Sequence, residues 1–258
     1  MTEVVLGFEV GELIIIYAVF FGAAMAKGVT GLGFSTACLP FLVLALGLRE
    51  TLPLLLLPSM ASNLLVMRSV GHFRATVVGF WPLFLAQVPG VLLGLWLLTH
   101  LAANVAVAVL GVVLIAYCVF AWVTPQLRLA SRFGHALRAP TGFATGVLNG
   151  WTGSQVMPMM PYFLSLNLDP KRLVQTVNCS FTLSSLVMLV GLSQIGLMTW
   201  RIAAVSLVGL VAVYLGVRLG GWVRDRLAPV LFRKTVLAMM VSLGLVMIAR
   251  VAWDAWSQ

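Results

Sequence analysis

Lys27 stands out because it is a basic residue beside a glycine-rich stretch of a long apolar segment, with no acidic residue near it to form an ion pair. An unpaired ammonium group in hydrocarbon costs several kcal/mol, so it should face a polar cavity or a bound anion. The alternative is that its aliphatic stem lets the ammonium group reach the membrane interface. We predict that Lys27 contacts an anionic substrate.

Neutral polar side chains and glycines gather in two stretches, around residues 27–36 and 146–158. Glycines that open a helix expose backbone N–H groups, and the N-terminus of a half-helix carries partial positive charge that suits an oxyanion. A carboxamide in lipid also needs several hydrogen-bond partners. The predicted substrate-binding residues are Lys27, Thr30, Gly31, Gly33, Ser35, Asn63, Asn149, Gly150, Gly153, Ser154, Gln155 and Asn178.

The glycines could instead serve helix packing, since small residues commonly allow membrane helices to approach closely. We favour packing for Gly90, Gly94, Gly216 and Gly220, and the binding site for Gly31, Gly33, Gly150 and Gly153. A single serine or threonine in these stretches can also bond its own helix backbone.

Groups that would support catalysis or cation transport are not found within the apolar segments. The seven acidic residues lie in tails, loops or segment ends: Glu3, Glu9, Glu12, Glu50, Asp169, Asp225 and Asp254. The three histidines, His72, His100 and His135, are expected in loops, and Cys38, Cys118 and Cys179 lack metal-ligand spacing. We therefore predict no enzyme activity, no catalytic or metal-binding residue and no cofactor.

The elements that must position these residues are membrane helices. The 258 residues are 61% hydrophobic and only 9% charged, whereas about a quarter of a soluble domain is charged. The net charge of +9 does not indicate nucleic acid, because the basic residues are dispersed in short loops. Eight apolar segments are predicted, at about 12–47, 51–70, 75–98, 102–124, 140–167, 171–192, 200–223 and 230–253.

The first and fifth segments are predicted to be broken by their glycines, which leaves two topologies open. Either each broken segment crosses the membrane, giving eight spans, or each re-enters and leaves on the side it came from. The re-entrant topology obeys the positive-inside rule. It places 12 basic residues on the cytoplasmic side: Arg68, Arg74, Arg128, Arg132, Arg138, Lys171, Arg172, Arg218, Arg224, Arg226, Arg233 and Lys234. We prefer it, and it puts both termini on the outside.

An internal repeat accounts for the two broken segments. The stretch GVLLGLWLLTHLA at 90–102 matches GVRLGGWVRDRLA at 216–228, and Gly28 and Pro40 align with Gly146 and Pro158. We predict an all-α integral membrane protein of two repeats, 1–124 and 140–258, joined by a basic cytoplasmic linker at 125–139. Each repeat holds one glycine-broken helix and three transmembrane helices. Since three spans is an odd number, the second repeat is inverted, as in secondary transporters.

These features resemble the TauE/SafE family of sulfite and organosulfonate exporters. The residues that carry the resemblance are KGVTGLGFSTACLP (27–40), GVLNGWTGSQVMP (146–158) and the G-x-x-x-G stretches at 90–94 and 216–220. The resemblance implies export of sulfite or a small sulfonate, such as sulfoacetate, across a bacterial inner membrane. The expected partners are that anion and the lipid bilayer, with a homodimer left open. Two alternatives stay open: an anion channel of the same fold, or a membrane scaffold without transport activity.

Overall fold

The computed structural model describes residues 4–30, 33–123, 131–224 and 229–256. Nearly all of them are helical. The exception is a short antiparallel hairpin of β1 (Val4–Val5) and β2 (Phe8–Glu9), in which Gly7 has a φ of 86°. Sequence patterns did not predict this hairpin, because two residues per strand are too few to show an alternation.

Eleven helices are described. They are α1 (Val10–Thr30), α2 (Phe34–Leu46), α3 (Leu48–Val70), α4 (Phe73–His100), α5 (Ala103–Val123), α6 (Ser131–Ala136), α7 (Arg138–Thr152), α8 (Met159–Ser165), α9 (Pro170–Gln194), α10 (Trp200–Arg224) and α11 (Pro229–Trp256). Six of these, α1, α3, α4, α5, α9 and α10, are long and apolar enough to cross a bilayer. The prediction of an all-α, multi-pass integral membrane protein is confirmed.

Helix boundaries fall inside the first and fifth apolar segments. In the first, α1 ends at Thr30 and α2 begins at Phe34, after Gly33 with a φ of 92°. In the fifth, α7 ends at Thr152, Gly153 has a φ of 79°, and residues 153–158 are not helical before α8 begins. Glycine is favoured at such helix ends because a left-handed conformation costs it little.

Close helix pairs form where glycine meets backbone. The pair α1–α10 brings Gly28 against Gly220: a Cβ on Gly28 would lie 2.9 Å from the Gly220 Cα. The pair α4–α7 brings Gly94 against Gly150, where a Cβ on Gly94 would lie 2.8 Å from the Gly150 Cα. Such contacts leave no room for a larger side chain. The packing role predicted for Gly94 and Gly220 is confirmed, and Gly90 and Gly216 also lie against helix backbones.

These contacts also bear on the internal alignment. The predicted repeat matches Gly94 with Gly220. Gly94 lies against Gly150 of α7, and Gly220 lies against Gly28 of α1, so Gly150 would correspond to Gly28. The contacts therefore favour matching Gly28 with Gly150, one helical turn after the Gly146 that the sequence suggested. Both alternatives keep glycine on one helix face, because residues four apart in a helix lie on the same side.

The helices α3 and α9 lie against each other and carry many of the buried polar side chains of the described chain, among them Ser62, Asn63 and Asn178. The helix α3 also packs on α10, and α9 packs on α4. In contrast, large apolar side chains such as Trp81, Trp96 and Trp222 are exposed on the outer helices. In a bilayer those side chains face lipid, so the inside of the helix assembly is the place for a polar site.

Candidate functional site

The ammonium group of Lys27 is enclosed within the protein. Lys27 lies near the end of α1 and is only 2% exposed. Its Nζ donates to the Ser62 Oγ at 3.1 Å, to the Asn178 Oδ1 at 3.2 Å and to the Asn63 Oδ1. An ammonium group has three donors, so these three acceptors saturate it. The alternative reading, in which Lys27 reaches the membrane interface, does not describe this structure.

Two of the three acceptors of Lys27 are themselves held in place by hydrogen bonds to backbone carbonyls. The Ser62 hydroxyl donates to the backbone carbonyl of Ser59 at 2.8 Å, and the Asn178 Nδ2 donates to the Val174 carbonyl at 2.7 Å. Among the described residues, the Asn63 Nδ2 has no hydrogen-bond partner. The helices α3 and α9 thus present three oxygens to a cation from α1, and those of Ser62 and Asn178 are anchored by further hydrogen bonds. None of the described partners of Lys27 is a carboxylate, so no described residue neutralises its charge.

A small cavity lies between α2, α3, α9 and the non-helical stretch after α7. Its volume is about what one water molecule needs. None of the described lining residues is charged. The residues with polar side chains are Ser35, Ser59, Asn149, Gln155 and Ser185, and the others are Leu52, Leu55, Leu56, Gly153 and Met188.

Several polar atoms at this cavity have no hydrogen-bond partner among the described residues. They are the Asn149 Oδ1, the Gln155 Oε1 and the Ser185 Oγ, and all three residues are at most 5% exposed. Leaving a buried polar group unpaired is costly, and most buried groups are paired. These atoms therefore provide hydrogen-bonding capacity for a polar guest in the cavity.

Asn149 is positioned by a hydrogen-bonded network that joins α4, α7 and α9. Its Nδ2 donates to the Ser184 Oγ at 2.8 Å, and the Gln87 Nε2 donates to the same oxygen at 3.2 Å. The Ser180 hydroxyl donates to the Gln87 Oε1 at 2.8 Å. Gln87 and Ser184 were not predicted as site residues. The sequence could have indicated Gln87, because a carboxamide in the middle of an apolar segment needs hydrogen-bond partners inside the protein.

The structure brings the predicted residues together in two groups. Lys27, Asn63 and Asn178 form the ammonium cluster, and Ser35, Asn149, Gly153 and Gln155 line the cavity. A short path joins the two groups along α3, because Ser62 bonds the Ser59 backbone and the Ser59 Oγ accepts from the Ser35 hydroxyl at 2.8 Å. Ser59, Ser62 and Ser185 were not singled out in the sequence, because serine in a membrane helix usually bonds its own backbone.

The remaining predicted residues lie apart from these groups or outside the described part. Gly150 packs against the α4 backbone. A Cβ added to it would lie 2.3 Å from the Val91 carbonyl oxygen. A Cβ added at Gly33 would have no atom of another part of the chain within 4 Å. Ser154 is buried, and its N–H lies 3.3 Å from the Thr152 Oγ1. Gly31 and the side chain of Thr30 lie outside the described residues.

Other charged and ligating groups lie elsewhere. The Arg218 Nη1 donates to the Tyr214 hydroxyl at 3.2 Å on an exposed face, and it does not line the cavity. Within the described ranges, no three His, Cys, Asp or Glu residues are grouped so that they could hold a metal ion. The chemistry of the site is therefore that of one ammonium group and neutral hydrogen-bonding side chains.

Comparison with known proteins gives one match. The sequence model of the family described as sulfite exporter TauE/SafE matches residues 16–247 of the 258. No curated protein and no solved structure matches the chain.

Proposed function

This chain belongs to the sulfite exporter TauE/SafE family, and we propose that it exports a small sulfur-containing oxyanion, sulfite or a small sulfonate, by alternating access. The family is one of membrane transporters, and the long apolar helices agree with that assignment. The identity of the anion and the mechanism are the parts that we propose.

The observation that carries the proposal is a buried positive charge that no described residue neutralises, beside a polar cavity. Lys27 is 2% exposed and is bonded only to neutral oxygens among the described residues. Charges within membrane segments are costly and commonly mark the path of a substrate. The nearby hydroxyls and carboxamides would bind an anion by neutral hydrogen bonds, which hold it without preventing its release.

The predicted inverted repeat supports transport by alternating access. The helix α1 packs on α10, and α4 packs on α7. If α1 corresponds to α7 and α4 to α10, these would be the same pair with the two halves exchanged, which supports the proposed repeat. We propose that α1–α2 and α7–α8 are the two broken segments and that the anion lies between them. Ser35, in the first turn of α2, borders the cavity. The second half would bind the anion through side chains and not through the N-terminus of α8. With only seven residues, α8 has few aligned peptide dipoles to attract an anion.

The size of the cavity fits a closed conformation. A sulfite ion is larger than one water molecule, so it needs a wider cavity than the one described. This is expected of a site that opens toward one side at a time. Movement of one half against the other would then expose the anion first to the cytoplasm and afterwards to the outside.

The test is flux through purified protein in proteoliposomes. We expect saturable uptake of ³⁵S-labelled sulfite or sulfoacetate, and faster uptake when the same unlabelled anion is present on the opposite side. Uptake without this counterflow stimulation would favour an anion channel of the same fold. The absence of any flux of sulfite, sulfate, thiosulfate, sulfoacetate or small carboxylates would favour a scaffold and overturn the proposal.

A further inference from the structure

Lys27 and Asn149 occupy corresponding positions in the two halves. Lys27 bonds Ser62, which lies 35 residues later, and Asn149 bonds Ser184, which also lies 35 residues later. The residues that follow agree with this match, because KGVT at 27–30 corresponds to NGWT at 149–152. The contacts of Gly28 with Gly220 and of Gly94 with Gly150 give the same match between the two halves independently.

The residues that follow the two matched serines, Asn63 in α3 and Ser185 in α9, also correspond to each other. Asn63 follows Ser62 in α3, and Ser185 follows Ser184 in α9. In the first half, the long side chains of Lys27 and Asn63 bond each other. In the second half, the shorter side chains of Asn149 and Ser185 line the cavity, and the Asn149 Oδ1 and Ser185 Oγ have no partner among the described residues. The cavity therefore lies where the second half has smaller residues than the first.

We propose that the oxyanion is bound asymmetrically, by Ser185, Asn149 and Gln155 of the second half together with Ser59, while Lys27 acts on it through its charge. This rests on the proposed function and names the side chains that contact the anion. The three donors of Lys27 are already used by Ser62, Asn63 and Asn178, so direct contact with the anion would require one of these bonds to break.

The four residues can all offer donors to an oxyanion. The Ser185 hydroxyl is unpartnered among the described residues, and the Ser59 Oγ accepts from Ser35, which leaves the Ser59 proton available. The amide ends of Asn149 and Gln155 can exchange oxygen and nitrogen by a 180° turn. In the turned orientation, Ser184 donates to the Asn149 Oδ1 and the Asn149 Nδ2 becomes free for the anion. Leu55, Leu56 and Met188 supply apolar lining to the same cavity.

The experiment compares two changes at Ser185 with a control on the same helix. Ser185→Ala removes one donor and should raise the half-saturating sulfite concentration by about 3- to 10-fold. Ser185→Asn introduces the residue type of the first half and should fill the cavity, reducing saturable uptake by at least about 10-fold. The control is Ser193→Ala, because Ser193 is exposed and its hydroxyl donates only to the Leu189 carbonyl among the described residues. It should behave as wild type.

Uptake of ³⁵S-labelled sulfite and of ³⁵S-labelled sulfoacetate is measured in proteoliposomes, and sulfite-dependent thermal stabilisation is measured in detergent. If the wild type transports but Ser185→Ala and Ser185→Asn keep its half-saturating concentration, the anion binds elsewhere and this inference is wrong. If the wild type neither binds nor transports either anion, the proposed function itself fails. Should Ser185→Asn not fold, the Ser185→Ala result decides.

Discussion

At the scale of single residues, Lys27 shows how a charge is kept inside a membrane protein when its described partners are all neutral. Three neutral oxygens replace the water that an ammonium group would otherwise bind, and they come from α3 and α9 rather than from the helix of the lysine. Such oxygens stabilise the cation by their dipoles and leave its net charge intact. A net positive charge is what an incoming anion requires.

Replacing Lys27 tests this role directly. We expect Lys27→Ala to lower the rate of sulfite uptake at least about 10-fold, because the only buried basic side chain of the described residues is lost. The change also leaves the oxygens of Asn63 and Asn178 without their donor, which should reduce stability by about 1–3 kcal/mol. Proteoliposome flux and thermal unfolding measure the two effects. Lys171→Ala, at an exposed position in α9, is the control, and equal losses in both variants would contradict a specific role for Lys27.

At the scale of helices, close pairing depends on glycine at the crossing points. In the α4–α7 pair, a Cβ on Gly94 would lie 2.3 Å from the Val147 carbonyl oxygen, well inside contact distance. A backbone atom cannot move aside as a side-chain end can, so the helices must separate. This couples the glycines of α4 to the position of α7, which carries Asn149.

We therefore expect Gly94→Ala to destabilise the protein by about 1–3 kcal/mol, as overpacking generally does. Gly22→Ala is the matched control: it is also within a helix, and its added Cβ meets no atom within 4 Å. There alanine should be neutral or slightly stabilising, since it favours helix more than glycine does. Thermal unfolding in detergent measures both, and equal unfolding temperatures would show that the α4–α7 contact tolerates a methyl group.

The glycine that ends α7 affects the cavity itself. Gly153 has a φ of 79°, and its Cβ would lie 2.4 Å from the Leu52 Cδ2 at the cavity wall. Gly153→Ala should therefore cost about 1–2 kcal/mol for the backbone conformation and also raise the half-saturating sulfite concentration several-fold by moving Leu52 into the cavity.

Gly196, after the end of α9, separates these two effects. Its φ is 78°, but a Cβ there has no atom within 4 Å. Gly196→Ala should show the loss in stability alone, with unchanged half-saturation in the flux assay. If Gly153→Ala and Gly196→Ala give the same half-saturation, the cavity next to Gly153 is not the binding site.

At the scale of the whole molecule, the open question is how the chain crosses the membrane. The re-entrant topology puts the end of α3 and the end of α9 on opposite sides of the bilayer, whereas eight simple spans would put them on the same side. The two topologies therefore differ in a way that surface labelling can detect.

We expect Ser193→Cys to react with a membrane-impermeant maleimide added to intact cells, and Ser69→Cys to react only after permeabilisation. Both serines are exposed, and both lie near helix ends. The three native cysteines are buried and should give little background. Labelling of both positions from the same side would exclude the re-entrant topology.

The positions of the helices and the family were predictable from the sequence. Hydropathy alone placed eight apolar segments within a few residues of helices in the structure, because a bilayer imposes one solvent and one minimum length on every span. The sequence also singled out Lys27, since a buried cation is rare enough in lipid to be noticed without knowing its neighbours. The duplicated glycine stretches predicted the TauE/SafE family, which the family match confirms.

Only the tertiary structure decided which polar residues meet. Serine and glycine are common in membrane helices, and the sequence does not tell which helix face turns inward. Thus Ser62, Ser59 and Ser185 became visible only through their neighbours, and Gly150 proved to lie against α4. The contact of Gly28 with Gly220 likewise became visible only in the structure. Packing decides such questions because the residues that meet are distant along the chain, where no local periodicity relates them.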